Sequence, residues 1–474
     1  MQTKGKGVFS MKLNYKRVML VGMAFFLISA FWQAYDAIVP LILTNHFGMP
    51  QTASGAVMSL DNVLAVFMLP IFGALSDKTN TRFGKRTPFI FCGTIVAVIS
   101  FVCLTLIDNY QLAKVNAAGF LAVEGDAAEA LQKLTWELTL TNIWPLVGFI
   151  ATLLVVLIAM ATFRSPAVAL MPDVTVKPLR SKANAVINLM GTAGGIIVLI
   201  LGMVFATSKN KYMSYTGYVL AVCAVMLLGF VLFLLTVKEK KWAAEMEEDA
   251  VKYGLAEPAS PETAGKKEKL SPAQLRSLLL ILASVALWFI GYNSITSKYS
   301  VYASNILGFD YNFTLIVAQA AAIVSYIPVG MISSKLGRKK TILAGVLMLA
   351  TAFAVGTLVS PDTPAVIMYP VFALAGIGWA SINVNSFPMV VELAGKGDVG
   401  KYTGYYYTAS MSAQIVAPIL SGVLYDAFGM RYTFFPFGAV FVVFSFITML
   451  LVKHGDSRPT EKKSALEQLG GGDD

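Results

Sequence analysis

The chain has 474 residues, of which 56% are hydrophobic and only 14% are charged, and its formal net charge is +10. This apolar content exceeds what one soluble core of ordinary composition would bury, so lipid is the expected main solvent. Only helices or closed barrels satisfy every backbone polar group in lipid, and the apolar segments here lack the alternation of barrel strands, which excludes a barrel.

In chain order, the apolar segments are long enough to cross a bilayer as helices, which takes roughly 20 residues each. Their number predicts twelve transmembrane helices in an all-α membrane protein. The predicted spans cover residues 18–44, 53–76, 88–107, 143–164, 183–206, 217–237, 276–300, 310–333, 341–360, 364–390, 402–425 and 431–452.

Basic residues concentrate in alternate loops of this arrangement, for example at Lys85 and Arg86 after the second span and at Lys339 and Lys340 after the eighth. Loops of this kind usually face the cytoplasm. The distribution predicts a multi-pass protein of the cell membrane with both termini cytoplasmic, and it argues against a nucleic-acid partner. The long acidic loop 108–142 is predicted to face outside.

The predicted spans divide the chain into five parts. These are a cytoplasmic N-terminus (1–17), an N-terminal six-helix bundle (18–237), a cytoplasmic linker (238–274), a C-terminal six-helix bundle (275–452) and a cytoplasmic tail (453–474). The linker begins with KEKKWAAEMEEDAVKYGL, a pattern typical of an amphipathic helix on a membrane surface. The EPASPETAGKKEK that follows has the composition of a disordered segment.

The two halves share weak internal similarity at two landmarks. The sequence GALSDKTNTRFGKR from Gly73 follows the second predicted span, and GMISSKLGRKK from Gly330 follows the eighth. Asp173 after the fourth span and Glu392 after the tenth each precede turns that contain Gly or Lys. Two six-helix bundles with pseudo-twofold symmetry are therefore predicted.

Two segments carry a resemblance to a known family. GALSDKTNTRFGKRTPFI at 73–90 is similar to the loop after helix two of major facilitator transporters, in the form of the sucrose/proton symporters and the glycoside-pentoside-hexuronide group. FRSPAVALMPDVTVKPLRSKANAVINLMG at 163–191 is similar to the region that joins helices four and five in the same group. The resemblance implies the major facilitator fold, a monomer, and secondary active transport of a sugar or glycoside, such as a disaccharide or small oligosaccharide, by alternating access.

The charged loop after the second span predicts a cytoplasmic gate. A carboxylate that pairs with a cation in a partly desolvated gate is bistable when the partner helix slides away, so Asp77 is expected to bind Arg86 or Arg164. Asp173 is expected in the same layer, with Glu392 as its counterpart in the second half. The predicted gate residues are Asp77, Arg82, Gly84, Arg86, Arg164, Asp173 and Glu392.

Asp36 in the first span and Asp61 in the second are carboxylates inside the membrane, where ionisable groups usually face a cavity or a partner. Desolvation favours the neutral form of a carboxylate, so both are predicted to bind and release a proton during transport. The alternatives are a cap before Pro40 or a position at the outer interface for Asp36, and a bond to a neighbouring helix for Asp61. Melibiose-type relatives that use sodium have an Asp where this chain has Leu69, so a proton is favoured over sodium as the coupling ion.

Sugar sites pair aromatic rings with amides, carboxylates and hydroxyls that match the OH groups of the substrate. Such side chains recur within the predicted spans, although each one alone is also explained as an interface anchor or as a contact between helices. The predicted substrate-binding residues are Trp32, Gln33, Tyr35, Asp36, Asn62, Asn188, Tyr292, Asn293, Thr296, Trp379, Asn383, Tyr406 and Gln414. Lys298 is expected to snorkel to the outer interface.

Several other functions stay open from the sequence. A uniporter, a drug or metabolite exporter of the same fold and a non-transporting sensor are alternatives, because fold does not determine cargo. An enzyme is not expected, since His46 and His454 lie at or beyond helix ends and the chain shows no nucleophile, metal or phosphate motif. No cofactor is expected, and the predicted partners are a small solute and membrane lipid.

Overall fold

The computed structural model describes residues 13–119, 128–176, 179–209, 211–253, 271–393 and 399–455. Most of the predicted N-terminal segment, the predicted disordered part of the linker and most of the predicted tail lie outside these ranges. The described residues form helices joined by turns, with one isolated bridge between Thr81 and Gly84.

Among the described residues, twelve helices are long and apolar enough to cross a membrane, which confirms the predicted all-α fold and number of spans. From first to twelfth they are Tyr15–His46, Gln51–Lys78, Thr87–Ala117, Trp144–Asp173, Lys182–Val204, Thr216–Thr236, Pro272–Leu307, Tyr311–Leu336, Arg338–Gly356, Ala365–Val391, Lys401–Phe428 and Met430–Leu450. Two shorter helices accompany them: Ala128–Thr141 before the fourth span, and Glu239–Lys252, here the linker helix, after the sixth.

Several spans are longer than the sequence predicts, most of all the third and fourth at their C-terminal ends. The third runs to Ala117 and the fourth to Asp173, beyond the predicted ends at residues 107 and 164. The predicted ends lie just before Asp108 and at Arg164. The helices continue because Asp108 is paired with His46 and Arg164 interacts with Asp61 inside the protein. Asp108, which the sequence places in an outer loop, is fully buried within the third span.

The two membrane faces are identified by the ends of the chain. The terminal side carries Tyr15 at the start of the first span and Leu450 at the end of the twelfth. The far side is the opposite face, which the first span reaches at His46 and the seventh at Leu307.

Helix packing repeats between the two halves. The first span packs against the fifth and sixth, the third against the fourth and sixth, and the second against the fourth. Each of these pairs has its counterpart six spans later, so the seventh packs against the eleventh and twelfth, the ninth against the tenth and twelfth, and the eighth against the tenth. This correspondence gives the molecule pseudo-twofold symmetry.

The halves contact each other mainly through two related pairs of spans, the second with the eleventh and the fifth with the eighth, and the first span also contacts the seventh. Each pair approaches closely at a glycine. An added Cβ at Gly55 would lie 2.1 Å from the carbonyl oxygen of Pro418, and one at Gly202 would lie 2.3 Å from Oδ1 of Asn312. The contact at Gly55 is with backbone and requires glycine, because only small residues allow helix backbones to approach this closely, whereas Gly202 makes room for the Asn312 side chain.

A pair of π-helical turns joins the halves at the far side. These turns, Ile42–His46 and Tyr302–Leu307, end the first and seventh spans. Asn305 Nδ2 donates a hydrogen bond of 2.6 Å to Asn45 Oδ1 across the boundary between the halves. Equivalent helix ends of the two halves therefore seal the far side together.

The linker helix packs on the terminal side of the first half. The Arg17 guanidinium carbon lies 4.9 Å from the Trp242 ring centroid, and Arg17 also forms an ion pair with Glu245. The helix predicted at the start of the linker is confirmed. Its tryptophan, however, packs on the first span instead of facing only the membrane surface.

Candidate functional site

Asp36 lies in the middle of the first span and faces open space inside the protein. Its side chain is exposed, whereas Tyr35 and Ala37 beside it are buried. The first span packs against the fourth, fifth and sixth spans and against Tyr299–Val301 of the seventh, so protein rather than lipid surrounds it. An exposed carboxylate on such a helix faces a cavity between the halves.

Asp36, Asp61 and Arg164 form a set of charges at this depth, here the central charge group. Asp61 interacts electrostatically with both Asp36 and Arg164, and its Oδ1 accepts a hydrogen bond of 2.8 Å from Asn62. Arg164 lies about 13 Å before Asp173 along the fourth span, at 1.5 Å per residue. The structure thus places Arg164 with the central carboxylates, whereas the sequence places it at the gate.

Two donors of the first span lack a protein partner among the described residues. The indole Nε1 of Trp32 and the hydroxyl of Tyr35 are both buried and form no hydrogen bond there. Buried polar groups in proteins are nearly always satisfied, so water or a ligand is expected to complete these bonds. Because both residues flank Asp36, they belong to the candidate site.

Gln33 joins the two halves at the depth of the central charge group. Its Oε1 accepts a hydrogen bond of 2.6 Å from Nε2 of Gln319 in the eighth span. Gly195 of the fifth span lies beside both amides, because an added Cβ there would be 3.4 Å from Gln319 Oε1 and 3.6 Å from Gln33 Oε1. In this conformation, Gln33 therefore holds the two halves together and also borders the cavity.

The second half contributes an aromatic pair, Tyr292 of the seventh span and Trp379 of the tenth. Their rings stack at a centroid distance of 3.7 Å and an angle of 6°, and Phe289 contacts the Trp379 ring edge-on at 5.4 Å. One face of each stacked ring is covered, which leaves only the outer faces for a bound ring. Nearby, Asn293 donates to the Phe289 carbonyl at 2.8 Å, and Thr296 is half-buried.

The remaining predicted substrate residues lie apart from this pair. Asn383 is buried, and its Nδ2 has no hydrogen-bond partner within the described part of the chain. Tyr406 shares a hydrogen bond of 2.9 Å with Ser386. Asn383 and Tyr406 lie within about 12 Å of the terminal-side ends of their helices. Asn188 and Gln414 are half-buried, so the predicted residues form several groups instead of one compact pocket.

Arg86 is the centre of a cluster at the terminal side, here the arginine cluster of Arg86, Ser76, Asp77 and Asp173. Its Nε donates to Asp173 at 2.7 Å, a terminal nitrogen lies 2.5 Å from Asp77, and the other contacts the Ser76 hydroxyl. Burial opposes the charge of Arg86, but the two carboxylates outweigh burial and hold its pKa above the ordinary value. These partners all belong to the first half, so in this conformation the cluster braces that half.

Glu239 of the linker helix binds the start of the third span, a contact that the sequence analysis misses. Its carboxylate accepts hydrogen bonds from the backbone N–H groups of Arg86 at 2.9 Å and Thr87 at 2.8 Å, where a negative charge stabilises a helix. Gly84 has a φ of +122°, and an added Cβ would lie 2.2 Å from the Glu239 carboxyl carbon. In the sequence, only the acidic residue directly after the sixth span hints at this contact.

The second half has a similar ion pair between Arg338 and Glu392. Gly337, with a φ of +94°, directly precedes Arg338 at the start of the ninth span. Arg338 is absent from the predicted gate, although the GRKK repeat of the first-half GKR sequence could have indicated it. Ser334 occupies the position that corresponds to Asp77 of the first half. Its hydroxyl donates a hydrogen bond of 2.8 Å to a carbonyl of its own helix.

Three ionisable side chains near the far side are buried: Lys298, His46 and Asp108. Lys298 is fully buried with its Nζ bonded to the Ser54 hydroxyl, so the prediction that it snorkels to the interface is wrong. His46 and Asp108 are also fully buried, with 2.6 Å between His46 Nδ1 and Oδ1 of Asp108. These partners lie far apart in sequence, so periodicity alone could not pair them.

The chain matches the Major Facilitator Superfamily over residues 21–418 and 319–471. It is 24% identical over 281 residues to an uncharacterised symporter of Synechocystis sp., which covers 58% of this chain and 42% of that protein. It is also 29% identical over 122 residues to the human lysosomal dipeptide transporter MFSD1, covering 24% of this chain and 22% of that one. The chain therefore spans less than half the length of either relative.

Two solved structures share the fold. The inward-open xylose transporter XylE of E. coli superposes with a TM-score of 0.65 at 14% identity, covering 96% of this chain and 99% of that chain. A D-xylose-proton symporter superposes with a TM-score of 0.61 at 16% identity, covering 93% and 98%. At these identities, the likeness establishes the fold.

Replacing Gly84 with alanine is expected to lower the thermal unfolding midpoint, because it adds backbone strain of about 1–3 kcal/mol and displaces the Glu239 carboxylate. Gly119→Ala is the matched control, since Gly119 also has a positive φ, of +71°, but an added Cβ meets nothing within 4 Å. The measurement is tryptophan-fluorescence unfolding in detergent. Equal losses in the two variants would show that the Glu239 contact is irrelevant.

Arg86→Lys is expected to destabilise the protein by about 1–3 kcal/mol, because lysine cannot reproduce the fork that binds two carboxylates and a hydroxyl. Arg82→Lys is the control from the same loop. Arg82 is exposed, and its guanidinium carbon lies 4.6 Å from the Phe83 ring centroid, outside the arginine cluster. The measurement is again tryptophan-fluorescence unfolding in detergent. A loss of stability in Arg82→Lys as large as that in Arg86→Lys would contradict the role of Arg86 as the centre of the arginine cluster.

Proposed function

The chain belongs to the Major Facilitator Superfamily and is a multi-pass membrane transporter, and we propose that it carries a sugar or glycoside by proton-coupled symport. The observation that carries this proposal is the exposed side chain of Asp36 in the middle of a span whose neighbouring residues are buried. A carboxylate in this position is costly unless a proton, a cation or a solute uses it.

Proton coupling is supported by the composition of the central charge group. Asp36 and Asp61 interact electrostatically, and neighbouring carboxylates repel each other when both are ionised. Binding one proton relieves this repulsion, while Arg164 compensates the carboxylate that stays charged. Leu69 occupies the position of the aspartate found in sodium-coupled relatives, so the second span lacks that anionic ligand.

A sugar substrate is supported by the side chains around the cavity. Trp32 and Tyr35 have hydrogen-bond donors that lack a partner among the described residues. The amide nitrogen of Asn383 also lacks one there. The stacked pair of Tyr292 and Trp379 presents its outer faces to a pyranose. A disaccharide or small oligosaccharide is proposed because the loop motifs resemble those of the sucrose and glycoside-pentoside-hexuronide group.

Alternating access is supported by the distribution of contacts between the halves. The pairs Asn45 with Asn305 and Gln33 with Gln319 link the halves toward the far side, whereas the arginine cluster lies within one half. With both termini in the cytoplasm of a plasma-membrane protein, as the basic loops favour, this conformation is sealed on the outside. We propose that the protein works as a monomer.

A zwitterionic solute such as a dipeptide is the second candidate substrate. Arg164 and the two central carboxylates place both signs of charge together, as binding of an ammonium and a carboxylate group requires. A neutral sugar has no need of the cation. The relative MFSD1 is a dipeptide transporter, but the similarity covers only 24% of this chain.

Asp36→Asn and Asp61→Asn test the function. We expect each variant to lose gradient-driven accumulation of sugar in proteoliposomes by roughly tenfold or more, equivalent to about 1.4 kcal/mol or more of coupling. Downhill flux is expected to persist, because asparagine keeps the size and the hydrogen-bonding oxygen. Asp362→Asn is the control, since Asp362 is exposed in the loop before the tenth span.

The assay uses labelled disaccharides and dipeptides, with and without an inward proton gradient. Accumulation of dipeptides alone replaces the sugar proposal with the zwitterion candidate. Flux that ignores the gradient in the parent protein identifies a uniporter. If the panel gives no flux at all, the exporter and sensor alternatives take precedence over symport.

A further inference from the structure

Asp426 at the far end of the eleventh span binds the start of the second span. Its carboxylate accepts hydrogen bonds from the backbone N–H groups of Gln51 and Thr52, both at 2.7 Å, and from the Thr52 hydroxyl at 2.6 Å. The helices are in close contact here, because an added Cβ at Gly422 would lie 2.5 Å from the Gln51 carbonyl oxygen. One carboxylate of the second half thus makes three charge-assisted bonds to the first half.

Lys298 lies next to this contact and is fully buried. Its Nζ is bonded to the hydroxyl of Ser54, on the same stretch of the second span, and it interacts electrostatically with Asp426. A hydroxyl compensates a desolvated ammonium group less well than a carboxylate does. Lys298 is therefore held in an environment that disfavours its charge while the halves are together.

The two charged residues share one half of the protein and lose their partners together. Asp426 and Lys298 belong to the second half, whereas the Thr52 and Ser54 groups they bind belong to the first. Their helices already touch, because the Tyr425 hydroxyl donates to the Ser294 carbonyl at 3.1 Å. Asp426 and Lys298 therefore lie on contacting helices of one half and already interact electrostatically, so they stay close together when the halves separate at the far side.

We propose that Asp426 exchanges partners during alternating access: it binds the start of the second span when the far side is closed and binds Lys298 when the far side is open. When the far side opens, Asp426 loses three hydrogen bonds and Lys298 is no longer buried. The new ion pair between them offsets part of the lost stabilisation. The Asp426 carboxylate therefore has a partner in both conformations, so the closed conformation is not stabilised too strongly for the far side to open. The exchange rests on alternating access and is independent of the solute and coupling ion.

The proposal predicts opposite effects for the two members of the pair. Asp426→Asn weakens the closed state, because it replaces a charged acceptor with a neutral one. Lys298→Met favours the closed state, because it removes a buried charge there and removes the new partner of Asp426 in the open state. An ion pair that simply clamps the far side would instead be loosened by both substitutions.

Distances between spin labels in nanodiscs measure this equilibrium without any solute. In a background in which Cys92, Cys103 and Cys223 are replaced by alanine, one label pair at positions 144 and 432 reports the far side. A second pair at positions 83 and 336 reports the terminal side. The native side chains at all four positions are exposed, and each pair spans the two halves.

We expect Asp426→Asn to lengthen the far-side distance and shorten the terminal-side distance, shifting the closed-to-open ratio by roughly tenfold or more. Thr52→Val removes one of the three bonds and is expected to shift the ratio in the same direction by less. Lys298→Met is expected to shift it in the opposite direction. Asp362→Asn and Lys209→Met, at exposed far-side residues, are the charge-matched controls and should leave it unchanged.

Shifts of the same sign for Asp426→Asn and Lys298→Met overturn the exchange, and so does the absence of a shift in both. Only variants that elute as the parent does in size exclusion are compared. Thr52→Val is a conservative substitution that keeps the test available if Asp426→Asn does not fold. A failed exchange leaves sugar or dipeptide uptake untouched, so the two proposals are judged separately.

Discussion

The cost of a charge that lacks a partner inside the bilayer governs this structure. The buried Arg86 is surrounded by Asp77, Asp173 and a serine hydroxyl, and His46 is paired with Asp108. The contact of Asp108 with His46 and the interaction of Arg164 with Asp61 allow the third and fourth spans to stay helical past these charges. The exposed Asp36 stands out against this background, since its environment is a cavity instead of a fixed cationic neighbour.

Pseudo-twofold symmetry places these partners at equivalent positions. The second span meets the eleventh and the fifth meets the eighth, while Asn45 and Asn305 join equivalent helix ends. The chemistry of the halves is less symmetric than their packing. In the first half, two carboxylates bind Arg86 and the Glu239 carboxylate binds the start of the third span. In the second half, Arg338 is paired with Glu392, and Ser334 donates a hydrogen bond within its own helix.

The sequence predicts the fold well because the bilayer imposes a length and a composition on each span. The twelve helices follow from that constraint alone. The site is predicted less well, because its contacts depend on distant pairings: Gln33 with Gln319, Lys298 with Ser54, and Tyr292 with Trp379. The sequence places Arg164 at the end of its predicted span and so assigns it to the gate, although it interacts with the central carboxylate Asp61.

The position of the charged clusters indicates what each can do in a transport cycle. Among the described residues, the Arg86 side chain binds only partners of its own half in this conformation. These contacts hold the helices of that half together. Asp426 binds across the boundary and must release its partners for the far side to open. Asp77 is the exposed member of the arginine cluster, with 64% of its side chain accessible. The side chain of Asp173 is less accessible, at 34%, so we expect Asp77 to be the carboxylate of the cluster that contacts the second half when the terminal side closes.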